Sequence, residues 1–211
     1  MIITMMADND LENRRLALIT LTSAVNNKPA LMLPHLPHLL PLVLQESVIK
    51  PELIKEIMMG PFKHKVDDGI DIRKSAYETM YSLMETSFSG IDIVQFYDRV
   101  IAGLSDEYDI RSLCNLMLTK LVTLNVDETS RRLDDVAAAF KVTLGTKLKE
   151  SAVKQEIEKQ DAAVMSVLRV TVLLNEKIPV TSQGWRDYWS WVEKDFADKI
   201  KSVQAEKENN S

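Results

Sequence analysis

The sequence predicts an all-α fold of repeated helices that is interrupted by one β-hairpin. Apolar residues recur in steps of three and four over most of the chain, which is typical of amphipathic helices. Only six Gly and seven Pro occur among 211 residues, which suits long helices joined by short connections. Between Leu53 and Val66 the apolar residues instead recur in steps of two on both sides of Gly60-Pro61, as in a hairpin.

The same periodicity predicts where the helices lie. They are expected at residues 10–26, 29–46, 71–86, 91–104, 106–124, 128–144, 150–175 and 185–204.

Three of these helices begin with one shared pattern: an acidic residue, an Arg two positions later and a small residue three positions after the Arg. The second and third copies are 38 residues apart. A period near 40 residues built from paired helices is typical of HEAT and armadillo repeats. We therefore predict a HEAT/armadillo-like α-solenoid of about four repeats, with a weaker fourth copy at Glu158 and Ala163. The three copies are Glu12-Asn13-Arg14 with Ala17, Asp71-Ile72-Arg73 with Ala76, and Asp109-Ile110-Arg111 with Cys114.

The hairpin, at about residues 53–66, is interpreted as an insertion into a repeat. The first and second copies of the pattern are 59 residues apart, and the surplus coincides with residues 48–66. A lone two-stranded hairpin is only marginally stable in water and leaves unpaired backbone groups at its edges. It adds little stability to a helical protein, so we expect it to contact another molecule.

The two ends of the chain carry different signals. We expect residues 1–211 to form a single helical-repeat domain, closed by a capping helix at about 185–204 that is rich in Trp and by a polar tail at 205–211. Residues 1–6 are apolar, and no capping helix precedes the first repeat. This open end predicts that the chain either continues a longer solenoid or docks against a separately encoded upstream helical piece.

Composition excludes several classes of protein. The single Cys cannot form an internal disulfide, which favours a reducing compartment, and we expect a cytoplasmic and nuclear location. The apolar start is too short and too acidic to be a signal peptide, and no apolar run is long enough for a membrane span. The net charge of -5 disfavours nucleic acid or an anionic membrane as the partner, and each basic pair has acidic neighbours.

No motif predicts catalysis or a cofactor. His35 and His38 could lie on one helix face, but they lack a third ligand, and nearby prolines disturb their spacing. Cys114 occupies the small-residue position of a repeat, where we expect a buried, inert thiol. There is no Gly-rich phosphate loop and no Gly-x-Ser-x-Gly motif. We expect a non-enzymatic protein without metal or cofactor.

The run from Pro51 to Lys74, with the string Gly-Pro-Phe-Lys-His at residues 60–64, closely resembles one family. That family is the cullin-associated, neddylation-dissociated (Cand, TATA-binding-protein-interacting) family, at its carboxyl-terminal region. Residues 106–121 and 151–161 are also similar to it, and the resemblance extends from about Asp10 to Leu174. The sequence from Ile178 onward departs from the family, whose members are much longer solenoids.

The resemblance implies a binding role in the assembly of ubiquitin ligases. Family members wrap cullin scaffolds together with their RING subunit, and the carboxyl-terminal repeats pack on the amino-terminal region of the cullin. The hairpin there overlaps the docking site of the substrate-adaptor module, so that one substrate receptor is exchanged for another. On this basis the partner-binding residues are expected at the hairpin tip: Met58, Met59, Pro61, Phe62, Lys63 and His64.

Several alternatives stay open at the level of sequence. Met58, Met59 and Phe62 could fold back on the helices as a satellite core. His64 is more often a solvated strand residue than a pH switch, and the hairpin lysines could simply prevent edge pairing. The alternative function is a generic helical-repeat scaffold or transport-receptor fragment that binds another protein through its concave face.

Overall fold

A computed structural model of the chain describes residues 1–60, 62–149 and 151–209, with the side chains of Met59 and Phe62 also excluded. Contacts divide the chain into two compact units, Met1–Arg99 and Val100–Ser211. The predicted fold class, an all-α helical-repeat protein with one inserted β-hairpin, is confirmed. The expectation of one domain over residues 1–211 stays a prediction. Among the described residues, no helix combines the length and the apolar character needed to cross a bilayer.

The elements of the first unit are α1 (Ile2–Met6), α2 (Leu11–Asn27), α3 (Pro29–Met32), a 3-10 turn (Leu33–His35), α4 (Leu36–Glu46), a 3-10 turn (Pro51–Leu53), β1 (Ile54–Met59), β2 (Phe62–Asp67), α5 (Ile70–Ser87), a 3-10 turn (Phe88–Gly90) and α6 (Ile93–Gly103), which continues into the second unit. The unit is built around its two long helices, α2 and α5, which pack along each other. Helix α4 packs on α5, and α1 packs on α2 through the buried Met6. The hydroxyl groups of Thr22 and Thr79 lie 2.8 Å apart across the α2 and α5 interface.

The second unit is organised by its longest helix, α10, which contacts α7, α9 and α12. Its aromatic core is hydrogen bonded: Trp185 Nε1 donates to Asn175 Oδ1 at 3.2 Å, and the hydroxyl groups of Tyr188 and Thr171 lie 2.8 Å apart. Burial raises the pKa of the Tyr188 hydroxyl above its ordinary value. The elements are α7 (Tyr108–Leu124), α8 (Val126–Arg131), α9 (Leu133–Gly145), α10 (Lys154–Lys177), α11 (Gln183–Asp195) and α12 (Ala197–Asn209).

The repeated sequence pattern falls at equivalent places in three helices. Its Arg is the fourth residue and its small residue is the seventh residue of α2, α5 and α7. All three small residues, Ala17, Ala76 and Cys114, are fully buried. A small side chain at this position lets a neighbouring helix approach closely, so the repeat predicted from the sequence is also a repeat in packing.

The carboxyl-terminal part differs from the prediction of one capping helix at 185–204. The chain leaves helical geometry at Phe196, which has φ −123° and ψ 24°, and two helices result. The physical reason is that α11 packs on α9 whereas α12 packs on α10, so the chain must turn between them. Residues 205–209 of the predicted polar tail belong to α12, and residues 210–211 lie outside the described residues.

Enlarging a small repeat residue is expected to destabilise the protein. Ala76→Leu adds volume at a fully buried position of α5, and overpacking of this kind costs about 1 to 3 kcal/mol. Ala138→Leu, at an exposed position of α9, is the control and should change the free energy of unfolding by less than about 0.5 kcal/mol. Urea denaturation followed by circular dichroism measures both. Equal midpoints for the two variants would contradict the close packing at this position.

Candidate functional site

The hairpin lies between α4 and α5 and is the candidate site. Strands β1 and β2 are antiparallel, with Ile54 opposite Asp67 at the base and Met59 opposite Phe62 at the last pair. Residues that are directly opposite each other project to the same face, and successive residues along a strand project to opposite faces. The register therefore gives the hairpin two chemically distinct faces.

One face, which we call the apolar face, presents Ile57 beside His64 and Val66 beside Lys55. The other, the charged face, presents Glu56 beside Lys65 and Met58 beside Lys63. On this charged face the Lys63 ammonium lies 3.4 Å from the Glu56 carboxylate, and both side chains are exposed.

Large apolar side chains of the hairpin face solvent. Ile57 is 42% exposed, Val66 is 37% exposed and Met58 is 65% exposed. The alternative that Met58 folds back on the helices is therefore wrong. These aliphatic side chains are therefore available for contact with another molecule.

The predicted site residues are distributed over both faces. His64 lies on the apolar face, whereas Met58 and Lys63 lie opposite each other on the charged face. Pro61 and the side chains of Met59 and Phe62 lie outside the described residues. Assignment of all six residues to partner binding stays a prediction.

The sequence analysis missed two residues of the apolar face, Ile57 and Val66. The signal was present, because both belong to the period-two alternation that predicted the strands. Pairing the two strands about Gly60-Pro61 would have placed Ile57 and Val66 on one face.

The turn depends on a backbone conformation that glycine adopts readily. Gly60 has φ +62°, and it is the only residue with positive φ in the described part of the chain. Hairpin turns that match the twist of the strands require positive φ at their first central position, where L-residues are disfavoured. No heavy atom would contact a Cβ at Gly60 within 4 Å, so the requirement comes from the backbone and not from packing.

The hairpin ends at an ion pair with a buried helix residue. Asp67, the last residue of β2, accepts at Oδ2 from Arg73 of α5, with an N to O distance of 2.9 Å. Arg73 is only 2% exposed. Beside this pair, the Lys55 ammonium lies 2.6 Å from the Asp68 carboxylate, and the Asp68 amide donates to the Leu53 carbonyl at 3.0 Å.

The chain that leads into the hairpin is also held. Arg99 of α6 donates through Nε to Ser47 Oγ at 2.8 Å and through Nη2 to the Ser47 carbonyl at 2.7 Å. The buried carboxylate of Glu46 lies 2.5 Å from the Lys50 ammonium and 3.4 Å from Arg14 Nε. Charged groups thus fix the end of β2 and the chain at the end of α4, ahead of the hairpin, whereas the described tip residues are exposed.

The other residues considered for chemistry are not brought together. His35 and His38 are exposed, and Cys114 is buried in the second unit. Among the described residues, no group of three or more His, Cys, Asp or Glu side chains is arranged to hold a metal ion.

Comparison with known proteins gives consistent matches. A family profile described as TATA-binding protein interacting (TIP20) matches residues 31–193. The chain is 49% identical over 211 residues to cullin-associated NEDD8-dissociated protein 1, C-terminal part, of Emericella nidulans, covering 98% of this chain and 20% of the relative. It is 42% identical to cullin-associated NEDD8-dissociated protein 1 of Drosophila melanogaster over 203 residues, covering 96% of this chain and 16% of the relative.

A third relative, cullin-associated NEDD8-dissociated protein 2 of Rattus norvegicus, is 45% identical over 167 residues, covering 79% of this chain and 13% of the relative. The chain therefore spans a fifth or less of the length of these curated relatives.

Replacing Gly60 with Ala is expected to loosen the hairpin alone. An L-residue in the left-handed region costs about 1 to 2 kcal/mol, so opening of the hairpin should become about 5 to 30 times more frequent. Amide hydrogen exchange of residues 54–59 and 62–67, measured by NMR, reports this change. Gly145→Ala, which also meets open space but lacks positive φ, is the control. Unchanged hairpin exchange in Gly60→Ala would contradict the role of the turn.

Proposed function

The chain belongs to the TATA-binding protein interacting family of cullin-associated NEDD8-dissociated proteins, and on that premise we propose that it is a cullin-binding assembly factor. In this proposal the hairpin competes with substrate-adaptor modules on a cullin that carries its RING subunit. The consequence is exchange of substrate receptors on cullin-RING ubiquitin ligases. The chain acts by binding, as a non-catalytic protein of the cytoplasm and nucleus.

The observation that carries the proposal is the exposed apolar area of the hairpin. Complete burial of a fully exposed Ile, Met or Val side chain contributes about 1.5 to 3 kcal/mol. Ile57, Met58 and Val66 are 42%, 65% and 37% exposed, so burial by a partner can contribute the corresponding fraction of that free energy for each. Lys65 adds positive charge near this apolar area, and the ion pairs of Lys55 with Asp68 and of Lys63 with Glu56 place further polar groups around it. A partner surface with an apolar recess and acidic residues at its rim would complement the hairpin.

Exchange requires more than competition for one site. A factor accelerates dissociation of a bound adaptor only if the factor and the adaptor occupy the cullin together for a short time. During that time each must weaken the binding of the other to the cullin. This mutual effect is a reciprocal coupling free energy, typically about 1 to 3 kcal/mol. A small hairpin attached to a separate helical binding surface suits this requirement, because the helices can bind before the hairpin displaces its competitor.

An upstream helical piece is a further proposed partner. Exposed apolar side chains on α1 and α2, among them Ile3, Leu16 and Ile19, supply a surface on which such a piece could pack. This contact would be separate from the hairpin.

Acidic substitutions on the hairpin are expected to weaken cullin binding. Ile57→Asp and Met58→Glu place a charge in the proposed contact and should each raise the Kd by about tenfold or more, which corresponds to about 1.4 kcal/mol. Biolayer interferometry with an immobilised cullin and RING complex measures the Kd. The ability of each variant to compete with the substrate adaptor, measured in the same assay, should fall together with its affinity for the cullin.

The controls are matched by exposure within the same unit. Leu33 is 42% exposed, like Ile57, and Leu31 is 68% exposed, close to Met58. Leu33→Asp and Leu31→Glu should bind the cullin within about twofold of the unchanged chain, because these residues belong to α3 and the 3-10 turn after it and not to the hairpin. Equal binding by hairpin and control variants would instead support a generic scaffold that binds through its helices. Absence of binding by the unchanged chain would contradict the proposal.

A further inference from the structure

We infer that Arg73, which holds the end of the hairpin, and Arg99, which holds the end of α4 ahead of the hairpin, are positioning residues that set the direction of the hairpin before a partner arrives. Neither residue lies on the faces of the hairpin, so neither is expected to contact the partner. The effect on cullin binding rests on the proposed function, whereas the effect on the hairpin can be measured on the chain alone.

Arg73 fixes the end of the hairpin. Its buried guanidinium contacts Asp67 Oδ2 at 2.9 Å, while Asp67 Oδ1 accepts from the amide of Gly69 at 2.9 Å. Both carboxylate oxygens are thus used, one by the helix and one by the connecting turn. Ile54 opposite Asp67 extends this anchor to the first strand.

Arg99 fixes the end of α4, from which the chain runs through a 3-10 turn (Pro51–Leu53) into the hairpin. Its two hydrogen bonds go to the side chain and the carbonyl of Ser47, which caps the C-terminal end of α4 and is fully buried. A cation at this end of a helix is favourable, because the last carbonyl groups lack partners within the helix. Arg99 is in turn placed by Tyr77, whose hydroxyl donates to the Arg99 carbonyl at 2.8 Å.

The two anchors converge on one helix. Arg73 and Tyr77 are four residues apart on α5 and therefore lie on the same side of it. Arg73 holds the end of the hairpin directly, and Tyr77 acts through Arg99 on the end of α4, which precedes the hairpin. One face of α5 therefore contributes to holding the chain on both sides of the hairpin.

This arrangement resists reorientation of the hairpin. Arg cannot lose its proton in a protein, so moving Asp67 away would separate a buried cation from a carboxylate that pairs with it. A hairpin that is already oriented loses less conformational freedom on binding, which raises its affinity without any new contact. The anchors would therefore contribute to binding even though they do not touch the partner.

The direct test is a distance measurement between spin labels within the first unit. Labels are placed at Met58→Cys near the tip and Thr20→Cys on the exposed side of α2, in a Cys114→Ala background, and double electron-electron resonance is recorded. The labelled chain with both anchors unchanged should give one narrow distribution of distances between the two spin labels. Neutralising the pair with Arg73→Met and Asp67→Asn together should broaden or shift that distribution.

The control neutralises an exposed ion pair in the same hairpin. Lys63→Met with Glu56→Gln removes the pair at 3.4 Å and should leave the distribution narrow. Because loss of Arg73 also alters the core, Arg99→Gln is a second test, since Arg99 is only partly buried and its removal leaves no buried charge. Broadening in Arg99→Gln supports the inference. A narrow, unshifted distribution in folded variants of both anchors would overturn it.

Measuring the Kd for the cullin and RING complex distinguishes failure of this inference from failure of the proposed function. If the oriented hairpin falls to about a tenth of the population, the apparent Kd for the cullin and RING complex should rise about tenfold. Broadened distances with unchanged Kd would overturn the role of the anchors in binding. Failure of every form of the chain to bind the cullin would contradict the proposed function and leave the distance result intact.

Discussion

The ion pair between Asp67 and Arg73 is the interaction on which the placement of the hairpin depends. A buried guanidinium requires polar partners, and Asp67 supplies a carboxylate to Arg73 at this point. The hairpin requires an attachment, because two strands cannot bury a face against each other alone. One contact satisfies both requirements, which explains how the hairpin extends from α5 without packing its described tip on the helices.

The repeat explains why this contact exists at all. Arg73 is the fourth residue of α5, and Arg14 is the fourth residue of α2, where it lies 3.4 Å from the buried carboxylate of Glu46. In both cases the arginine at this position faces an acidic residue from another element. The inserted hairpin therefore uses an arginine that the repeat already supplies, with Asp67 as its acidic partner.

Much of this architecture could be predicted from the sequence, because it depends on local periodicity. The repeat pattern and the hairpin follow from spacing alone. The break between α8 and α9 at Arg132 and the turn at Phe196 were not predicted, since they arise where successive segments pack on different helices. The division of the hairpin into two faces was also missed: it depends on the register, which the turn at Gly60 determines. The anchors at Ser47 and Asp67 join residues distant in sequence, and no periodicity reveals them.

The proposed exchange of substrate receptors depends on the helical surface and the oriented hairpin together. In this account the helices bind the cullin, and the oriented hairpin weakens the binding of a substrate adaptor that is already there. The most direct test follows the release of a fluorescent substrate adaptor from a purified cullin and RING complex, with unlabelled adaptor in excess and increasing amounts of this chain. The account predicts that the release rate rises with the concentration of the chain and then reaches a plateau, as expected when both are bound together. A release rate that stays at its spontaneous value at every concentration would contradict it.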